Sequence, residues 1–160
     1  MLDCQTKKGQ GYIRHENWTS DWIENRAQGK TKLVKFDSLT SSADRFAISN
    51  SGLKQALIEI KARNMNKDTF VNRFKSEYMI SEDKINRCRK ISIEYKIPFF
   101  VFVNMIEDDF VLRIKVFNED GNFVCPHRIE NRRTQSTCNG GTKYDNVYLF
   151  QVAPHSIIPK

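Results

Sequence analysis

The sequence predicts an α/β domain in which helices flank a mixed β-sheet. Residues 81–96 have the apolar periodicity of a helix, and the largely apolar residues 99–103 are typical of a strand that is buried on both faces. Strand-like segments lie on both sides of that helix, so a right-handed crossover between two parallel strands is expected. A hairpin predicted earlier in the chain adds antiparallel strands, which makes the sheet mixed.

The first part of the domain is predicted to be a helix followed by three strands. Trp18 and Trp22 stand four residues apart on one helical face, and Gly29 follows as a typical helix stop. Residues 50–52, Asn-Ser-Gly, form a turn signal that joins the second strand to the third. The predicted elements are a helix over residues 17–28 and strands over residues 32–36, 45–49 and 55–63.

The second part continues with two helical segments and several strands. Phe70, Phe74 and Tyr78 are spaced as one face of a helix that Asp68 or Thr69 can cap. Ser81 is expected to cap the next helix. The remaining predicted elements are the helix over residues 81–96, strands over residues 99–103, 111–117, 123–125 and 147–152, and an irregular basic stretch over residues 128–143.

Length and charge indicate one domain with an anionic partner. The 160 residues fit a single domain, with residues 1–16 flexible, a core over about 17–117 and a C-terminal extension over 118–160. The net charge of +7 favours nucleic acid over a membrane surface as the partner. The longest apolar run is too short for the roughly 20 residues of a transmembrane helix, and the first residues do not resemble a signal peptide. A cytoplasmic protein is therefore expected.

Residues that can carry chemistry gather on the third predicted strand. Glu59, Lys61 and Arg63 alternate with apolar residues, so their side chains share one face of the strand. The predicted hairpin brings Asp44 beside Glu59. Two carboxylates about 4 Å apart repel each other by about 4 kcal/mol at an effective dielectric constant of about 20. A hard divalent cation relieves the repulsion. This pattern predicts a Mg²⁺ site at Asp44 and Glu59, where Lys61 could orient or deprotonate a water molecule.

Simpler interpretations of the same residues remain open. Asp44 could be a turn residue, and Glu59 and Lys61 could be charges on an exposed strand face. The order of the elements and the apolar residues on the opposite face of the strand favour a functional site over these simpler interpretations. Asp37 is an alternative acidic partner for Glu59, although it lies farther from the hairpin strand.

Three arginines are candidate contacts for nucleic-acid phosphates. Arg63 shares the strand face of Glu59 and Lys61, while Arg132 and Arg133 lie in the basic stretch. Each of them is either a phosphate contact or a solvated surface charge.

The segments Ser-Ala-Asp44-Arg-Phe-Ala-Ile and Leu-Ile-Glu59-Ile60-Lys61-Ala-Arg resemble the motif of the PD-(D/E)XK nuclease superfamily, which has a restriction-endonuclease-like fold. The resemblance covers about residues 17–117. It implies phosphodiester hydrolysis with Mg²⁺ or Mn²⁺, the metal being held by Asp44, Glu59 and the carbonyl of Ile60. Ala43 stands where the family motif has proline, a position that varies among members.

Many members of that superfamily also place a glutamate on the first helix. Glu24 is the candidate here, and Glu16 and Asp21 are the alternatives.

The resemblance implies a metal-dependent endonuclease that acts on nucleic acid, with DNA favoured over RNA. A small stand-alone member resembles a phage or mobile-element nuclease, a junction resolvase or a repair endonuclease. A homodimer would supply the two sites that symmetric cutting of two strands needs. The alternative is a non-catalytic module on the same fold that binds nucleic acid or protein, which the retained Asp44, Glu59 and Lys61 argue against.

Overall fold

The chain builds a six-stranded mixed sheet with a three-stranded sheet beside it. The computed structural model describes residues 7–36, 44–134 and 143–160. The elements are α1 (Lys7–Arg26), β1 (Thr31–Lys35), β2 (Asp44–Ser49), β3 (Lys54–Arg63), a π-helical turn (Thr69–Arg73), β4 (Glu77–Ser81), α2 (Glu82–Tyr95), β5 (Phe99–Met105), β6 (Phe110–Phe117), β7 (His127–Thr134), β8 (Lys143–Gln151), a 3₁₀ turn (Pro154–Ser156) and β9 (Ile157–Pro159).

The larger sheet has the strand order β1-β2-β3-β5-β6-β9. All neighbouring strands in it are antiparallel except β3 and β5, which are parallel and are connected through β4 and α2. The predicted hairpin is present, and Gly52 at its turn has a positive φ of 83°, which glycine adopts without strain. The mixed sheet and the crossover through α2 are confirmed.

Helices and the second sheet cover the two faces of the larger sheet. On one face, Ile58 and Ile60 of β3 pack with Phe102 of β5 and with Trp22 and Ile23 of α1. The opposite face, which carries Leu57 of β3, packs against α2 and the second sheet. Its partners there include Ile85, Cys88, Tyr78, Ile80 and Phe150. Strand β3 therefore lies in the middle of the core, with Glu59 on the face that meets α2.

Two predicted helices differ from the structure. Helix α1 begins at Lys7, ten residues before the predicted start at residue 17, so the described residues of the segment 1–16 are helical. The second predicted helix, which was expected to include Phe74 and Tyr78, is wrong. The chain makes only a π-helical turn there, because Lys75 and Ser76 take positive φ values of 55° and 58°.

The residues after that turn form β4 instead of a helix. Tyr78 and Ile80 are buried while Met79 between them is exposed, which is the alternation of a strand with one face on the core. Ser81 then caps α2 as predicted, since its hydroxyl accepts a hydrogen bond from the amide of Lys84 at 3.4 Å.

The C-terminal part of the chain forms most of the second sheet. Its strand order is β4-β8-β7, so residues 127–134, which were predicted to be irregular, form a strand. Residues 135–142 lie outside the described part of the chain. Residues 123–125 do not form a strand and make only an isolated bridge from Phe123 to Phe117. Among the described residues, no helix has the length and apolar character needed to cross a membrane.

Candidate active site

The backbone places Asp44 directly opposite Glu59 in the β2–β3 ladder, as the hairpin predicted. The amide of Leu57 donates to the carbonyl of Pro98, and the amide of Ile106 donates to the carbonyl of Arg63. The backbone groups of odd-numbered β3 residues therefore face β5. Asp44 and Glu59 are consequently a non-hydrogen-bonded pair, the type in which Cα atoms approach to about 4.5 Å and side chains lie closest.

The carbonyl of Ile60 points to the other side of β3. Backbone polar groups alternate between the two edges of a strand, so the even-numbered residue Ile60 directs its carbonyl toward β2. The described part of β2 begins at Asp44, opposite Glu59. The Ile60 carbonyl thus lies beside the Asp44–Glu59 pair, while the Ile60 side chain is fully buried on the α1 face.

The Glu59 carboxylate is buried between two lysines. Only 3% of its side chain is exposed. The Nζ atom of Lys61 lies 3.1 Å from Oε1, and the Nζ atom of Lys84 lies 3.0 Å from Oε2. A buried carboxylate without such partners would cost several kcal/mol of desolvation energy, which the two ammonium groups offset.

Lys84 was not identified from the sequence. It lies in the first turn of α2, and its position over Glu59 depends on β4, which leads the chain to that point and was itself predicted to be helical. A usable indication was present, because Ser81 was correctly predicted to cap α2, which placed Lys84 at the start of a crossover helix next to β3.

Glu16 is the acidic residue of α1 that interacts with this group. Burial raises the pKa of the Glu16 carboxyl above its ordinary value, and the positive charges of Lys61 and Arg45 partly oppose that rise. The negative charge of Glu59 also raises the pKa of Glu16. Arg45 is itself only 2% exposed, and burial lowers the pKa of its guanidinium while Glu16 and Glu59 counteract the shift. The acidic and basic side chains of the site therefore interact electrostatically with one another.

The other acidic candidates have different surroundings. Oε1 of Glu24, the first choice on α1, accepts a hydrogen bond from the amide of Leu33 at 2.7 Å, which ties α1 to β1. Asp21 is exposed. Asp37 lies outside the described residues. Of the acids considered on α1, Glu16 is the one that the structure brings into interaction with both Glu59 and Lys61.

The three predicted phosphate contacts lie on two strands. Arg63 is exposed at the end of β3, and its guanidinium lies 5.9 Å from the centre of the Tyr78 ring. Arg132 and Arg133 are exposed on β7 in the second sheet. Arg132 forms an ion pair with Glu130.

The donor set at this site suits a hard divalent cation. The carboxylate of Glu59 and the carbonyl of Ile60 are oxygen donors on adjacent residues, and the residue opposite Glu59 in the ladder, Asp44, is also acidic. Mg²⁺ prefers one or two carboxylates together with water and substrate oxygens. The structure describes only the backbone of Asp44, and among the described side chains no three acidic, histidine or cysteine residues converge as metal ligands.

The altered pKa of Glu16 predicts a pH-dependent effect on stability. A carboxyl group whose pKa is raised by folding contributes stability below its unfolded pKa, and that contribution is lost as the pH rises through the folded pKa. Glu16→Gln mimics the protonated form. We expect it to raise the unfolding temperature of the metal-free protein by a few degrees at about pH 8 and to change it little at about pH 4. Thermal unfolding at both pH values tests this, and an equal shift at both would contradict it.

A family model described as "Phage putative PDDEXK endonuclease" matches residues 7–127, well over half of the chain. No curated protein and no solved structure matches the chain. The match covers α1, the β2–β3 hairpin with its Asp44–Glu59 pair, α2 and the parallel strand β5. Together with the mixed sheet, it confirms the resemblance to PD-(D/E)XK nucleases and the restriction-endonuclease-like fold.

Proposed function

Since the chain belongs to this family of phage PDDEXK endonucleases, we propose that it hydrolyses phosphodiester bonds in DNA with Mg²⁺ or Mn²⁺ at Asp44, Glu59 and the Ile60 carbonyl. The observation that carries the proposal is the buried Glu59 carboxylate, which lies opposite Asp44 in the ladder and contacts Lys61. Burying a carboxylate costs free energy that its lysine partners must offset, and functional sites are where such arrangements cluster.

Each residue of the site has a part in this chemistry. Glu59 and Asp44 provide negative charge at the end of the β2–β3 ladder, and Glu16 adds a third acid from α1. The Lys61 ammonium donates a hydrogen bond that orients the attacking water, and its charge stabilises the additional negative charge on the phosphate in the transition state. A bound divalent cation would supply Lewis-acid stabilisation of that charge.

The reaction balances without a further reactant. Water attacks phosphorus, one phosphorus–oxygen ester bond breaks, and the products are a phosphomonoester and an alcohol. Arg63 lies on the same strand as Glu59 and Lys61 and is exposed at the strand end, where it can contact the phosphate backbone beside the cleaved bond.

A cleavage assay with several substrates tests the proposal. Supercoiled plasmid, linear duplex, single-stranded DNA, a four-way junction and RNA are incubated with the protein and Mg²⁺, Mn²⁺, Ca²⁺ or a chelator. We expect cleavage of DNA with Mg²⁺ or Mn²⁺ and none with the chelator. Binding of nucleic acid without cleavage under any metal condition would instead favour the non-catalytic alternative. Sedimentation of the protein on a duplex with two cleavage positions tests whether a homodimer is formed.

Lys84 is expected to position the Glu59 carboxylate. Groups that orient a metal ligand typically change metal affinity or activity by 10- to 100-fold when removed. Lys84→Ala should therefore weaken the binding of Mg²⁺, raising the Mg²⁺ concentration for half-maximal rate by about 10-fold or more. Lys84→Arg keeps the charge and should recover part of the loss. An unchanged Mg²⁺ dependence in Lys84→Ala would show that Lys84 only stabilises the fold.

A further inference from the structure

Strands β7 and β8 extend beyond the rest of the second sheet. Strand β4 pairs with β8 only from Glu77 opposite Gln151 to Ser81 opposite Val147. Pairing between β7 and β8 continues from Asn131 opposite Asn146 to Thr134 opposite Lys143. We call these four residue pairs the ribbon. At about 3.4 Å per residue, the ribbon extends roughly 13 Å past the end of β4, and no third strand pairs with it among the described residues.

The ribbon leaves the sheet next to the candidate active site. Strand β4 ends at Ser81, level with the start of the ribbon, and α2 begins at the next residue. The first turn of α2 carries Lys84, whose ammonium lies 3.0 Å from the Glu59 carboxylate. A molecule that contacts the base of the ribbon therefore lies close to the first turn of α2, the element whose Lys84 contacts Glu59.

The two faces of the ribbon differ in whether their arginines form ion pairs with described residues. Residues directly opposite in an antiparallel ladder share a face, and alternate residues share it along each strand. One face, here called the inner face, continues the side on which Tyr78, Ile80 and Phe150 pack into the core. On the ribbon, the exposed side chains of this inner face are Asn131, Arg133, Tyr144 and Asn146.

On the outer face, the arginines form ion pairs with glutamates. This face carries Arg132, which is paired with Glu130, and it continues toward Arg128, which is paired with Glu77 and Glu130. On the inner face, Arg133 makes no ion pair with any described residue, and Tyr144 is 64% exposed. Among the arginines of the ribbon, the one without an ion pair to a described residue is therefore on the inner face.

We propose that the inner face of the ribbon enters the major groove of duplex DNA beside the bond that is cleaved. The inference rests on the proposed function and specifies its substrate as double-stranded DNA. The major groove of B-form DNA is about 12 Å wide and admits a two-stranded β-ribbon, whereas the major groove of A-form RNA is too narrow for side chains to read. Arginine and asparagine are the side chains that pair with guanine and adenine edges in that groove.

Binding measurements with matched variants test the ribbon. Fluorescence anisotropy is recorded with labelled duplex DNA, with the same sequence as single-stranded DNA, and with the corresponding duplex RNA, all in EDTA so that no cleavage occurs. The inner-face variant is Arg133→Ala/Tyr144→Ala. Arg132→Ala removes the same charge from the outer face. Arg113→Ala is the charge control, because Arg113 is exposed on β6 against the ring of Phe100.

The wild type is expected to bind duplex DNA more tightly than the other two probes. The inner-face variant should bind duplex DNA at least about 10-fold more weakly, since it loses a side chain proposed to pair with a base edge. Arg132→Ala should lose less than the inner-face variant, and Arg113→Ala less still. Thermal unfolding of each variant confirms that it is folded.

Four outcomes would overturn the inference or separate it from the proposed function. Equal losses in Arg132→Ala and in the inner-face variant would overturn the assignment of the inner face. Tightest binding to single-stranded DNA or to duplex RNA would overturn the major-groove contact. Normal duplex binding by the inner-face variant, in a protein that cleaves DNA, would overturn the proposed contact of the ribbon with DNA but not the proposed nuclease activity. Duplex binding that depends on the ribbon, without metal-dependent cleavage, would support the contact of the ribbon with DNA and overturn the proposed nuclease activity.

Discussion

Replacing Glu59 with glutamine should reduce metal-dependent cleavage by at least about 10³-fold, since a metal ion contributes several kcal/mol to stabilising charge in the transition state. The amide keeps the size of the side chain but removes the charge that would hold the cation. The initial rate of plasmid nicking at saturating Mg²⁺ measures the effect.

A matched control separates the loss of chemistry from a loss of folding. Glu59→Gln leaves Lys61 and Lys84 without their carboxylate, so a lower unfolding temperature is expected and nicking must be measured well below it. Glu77→Gln makes the same chemical change at an ion-paired glutamate of the second sheet, 2.8 Å from Arg128. It should cleave at close to the wild-type rate. Cleavage by Glu59→Gln that equals cleavage by Glu77→Gln would remove Glu59 from the reaction.

Lys61→Ala should lower kcat by about 10²- to 10⁴-fold and leave the affinity for DNA nearly unchanged. The reason is that Lys61 is proposed to act on the attacking water and on charge that develops in the transition state. Glu59 keeps its second lysine partner, Lys84, so the fold should tolerate the change. Single-turnover cleavage with excess protein measures the chemical step, and anisotropy in EDTA measures binding.

The control for Lys61 is an exposed lysine elsewhere on the sheet. Lys115→Ala removes the same charge from β6, where the ammonium lies 5.9 Å from the centre of the Phe100 ring, and it should leave kcat unchanged. If Lys61→Ala keeps its kcat and loses only affinity, then Lys61 is a phosphate contact and the proposed mechanism is wrong.

The sequence predicted the part of the site that depends on local pattern. The Asn50-Ser51-Gly52 turn predicts the hairpin, and the alternation along β3 predicts the face that carries Glu59. A β-bulge between Ala47 and Ile48 shifts the register by one residue, so that Asp44 stands opposite Glu59. A shift of one residue would turn Glu59 toward the apolar side chains of α1 and move Ile58 and Ile60 away from them, so the register is strongly specified. The hairpin and the face that carries Glu59 were predictable for that reason, whereas the bulge that aligns Asp44 with Glu59 was not predicted.

The parts that were not predicted depend on contacts between distant segments. The spacing of Phe70, Phe74 and Tyr78 is helical, and nothing local to Lys75 indicates the positive φ that ends the turn and starts β4. Strand β7 has an exposed Ile129 and several charges, because its place in the sheet is secured by β8 and by ion pairs rather than by an apolar face of its own. Hydrophobic periodicity therefore gave no indication of it.

The start of α1 was not predicted because the helix is longer than its apolar pattern. Residues before 17 include glycines and charged side chains, which weakened the expectation of a helix there. The helix nevertheless extends to Lys7, and with it Glu16 lies within electrostatic reach of Glu59 and Lys61. The choice between Glu16 and Glu24 required knowledge of how α1 packs on the sheet.

Binding of Mn²⁺ tests the central claim, that Glu59 helps to hold a divalent cation, independently of any nucleic acid. Mn²⁺ accepts the same oxygen ligands as Mg²⁺, and its free aqueous ion gives an electron paramagnetic resonance signal that decreases on binding. Titration of the wild type should show a saturable site, and Glu59→Gln should bind Mn²⁺ at least about 10-fold more weakly while Glu77→Gln binds it normally. Equal Mn²⁺ affinity in the wild type and in Glu59→Gln would contradict the account.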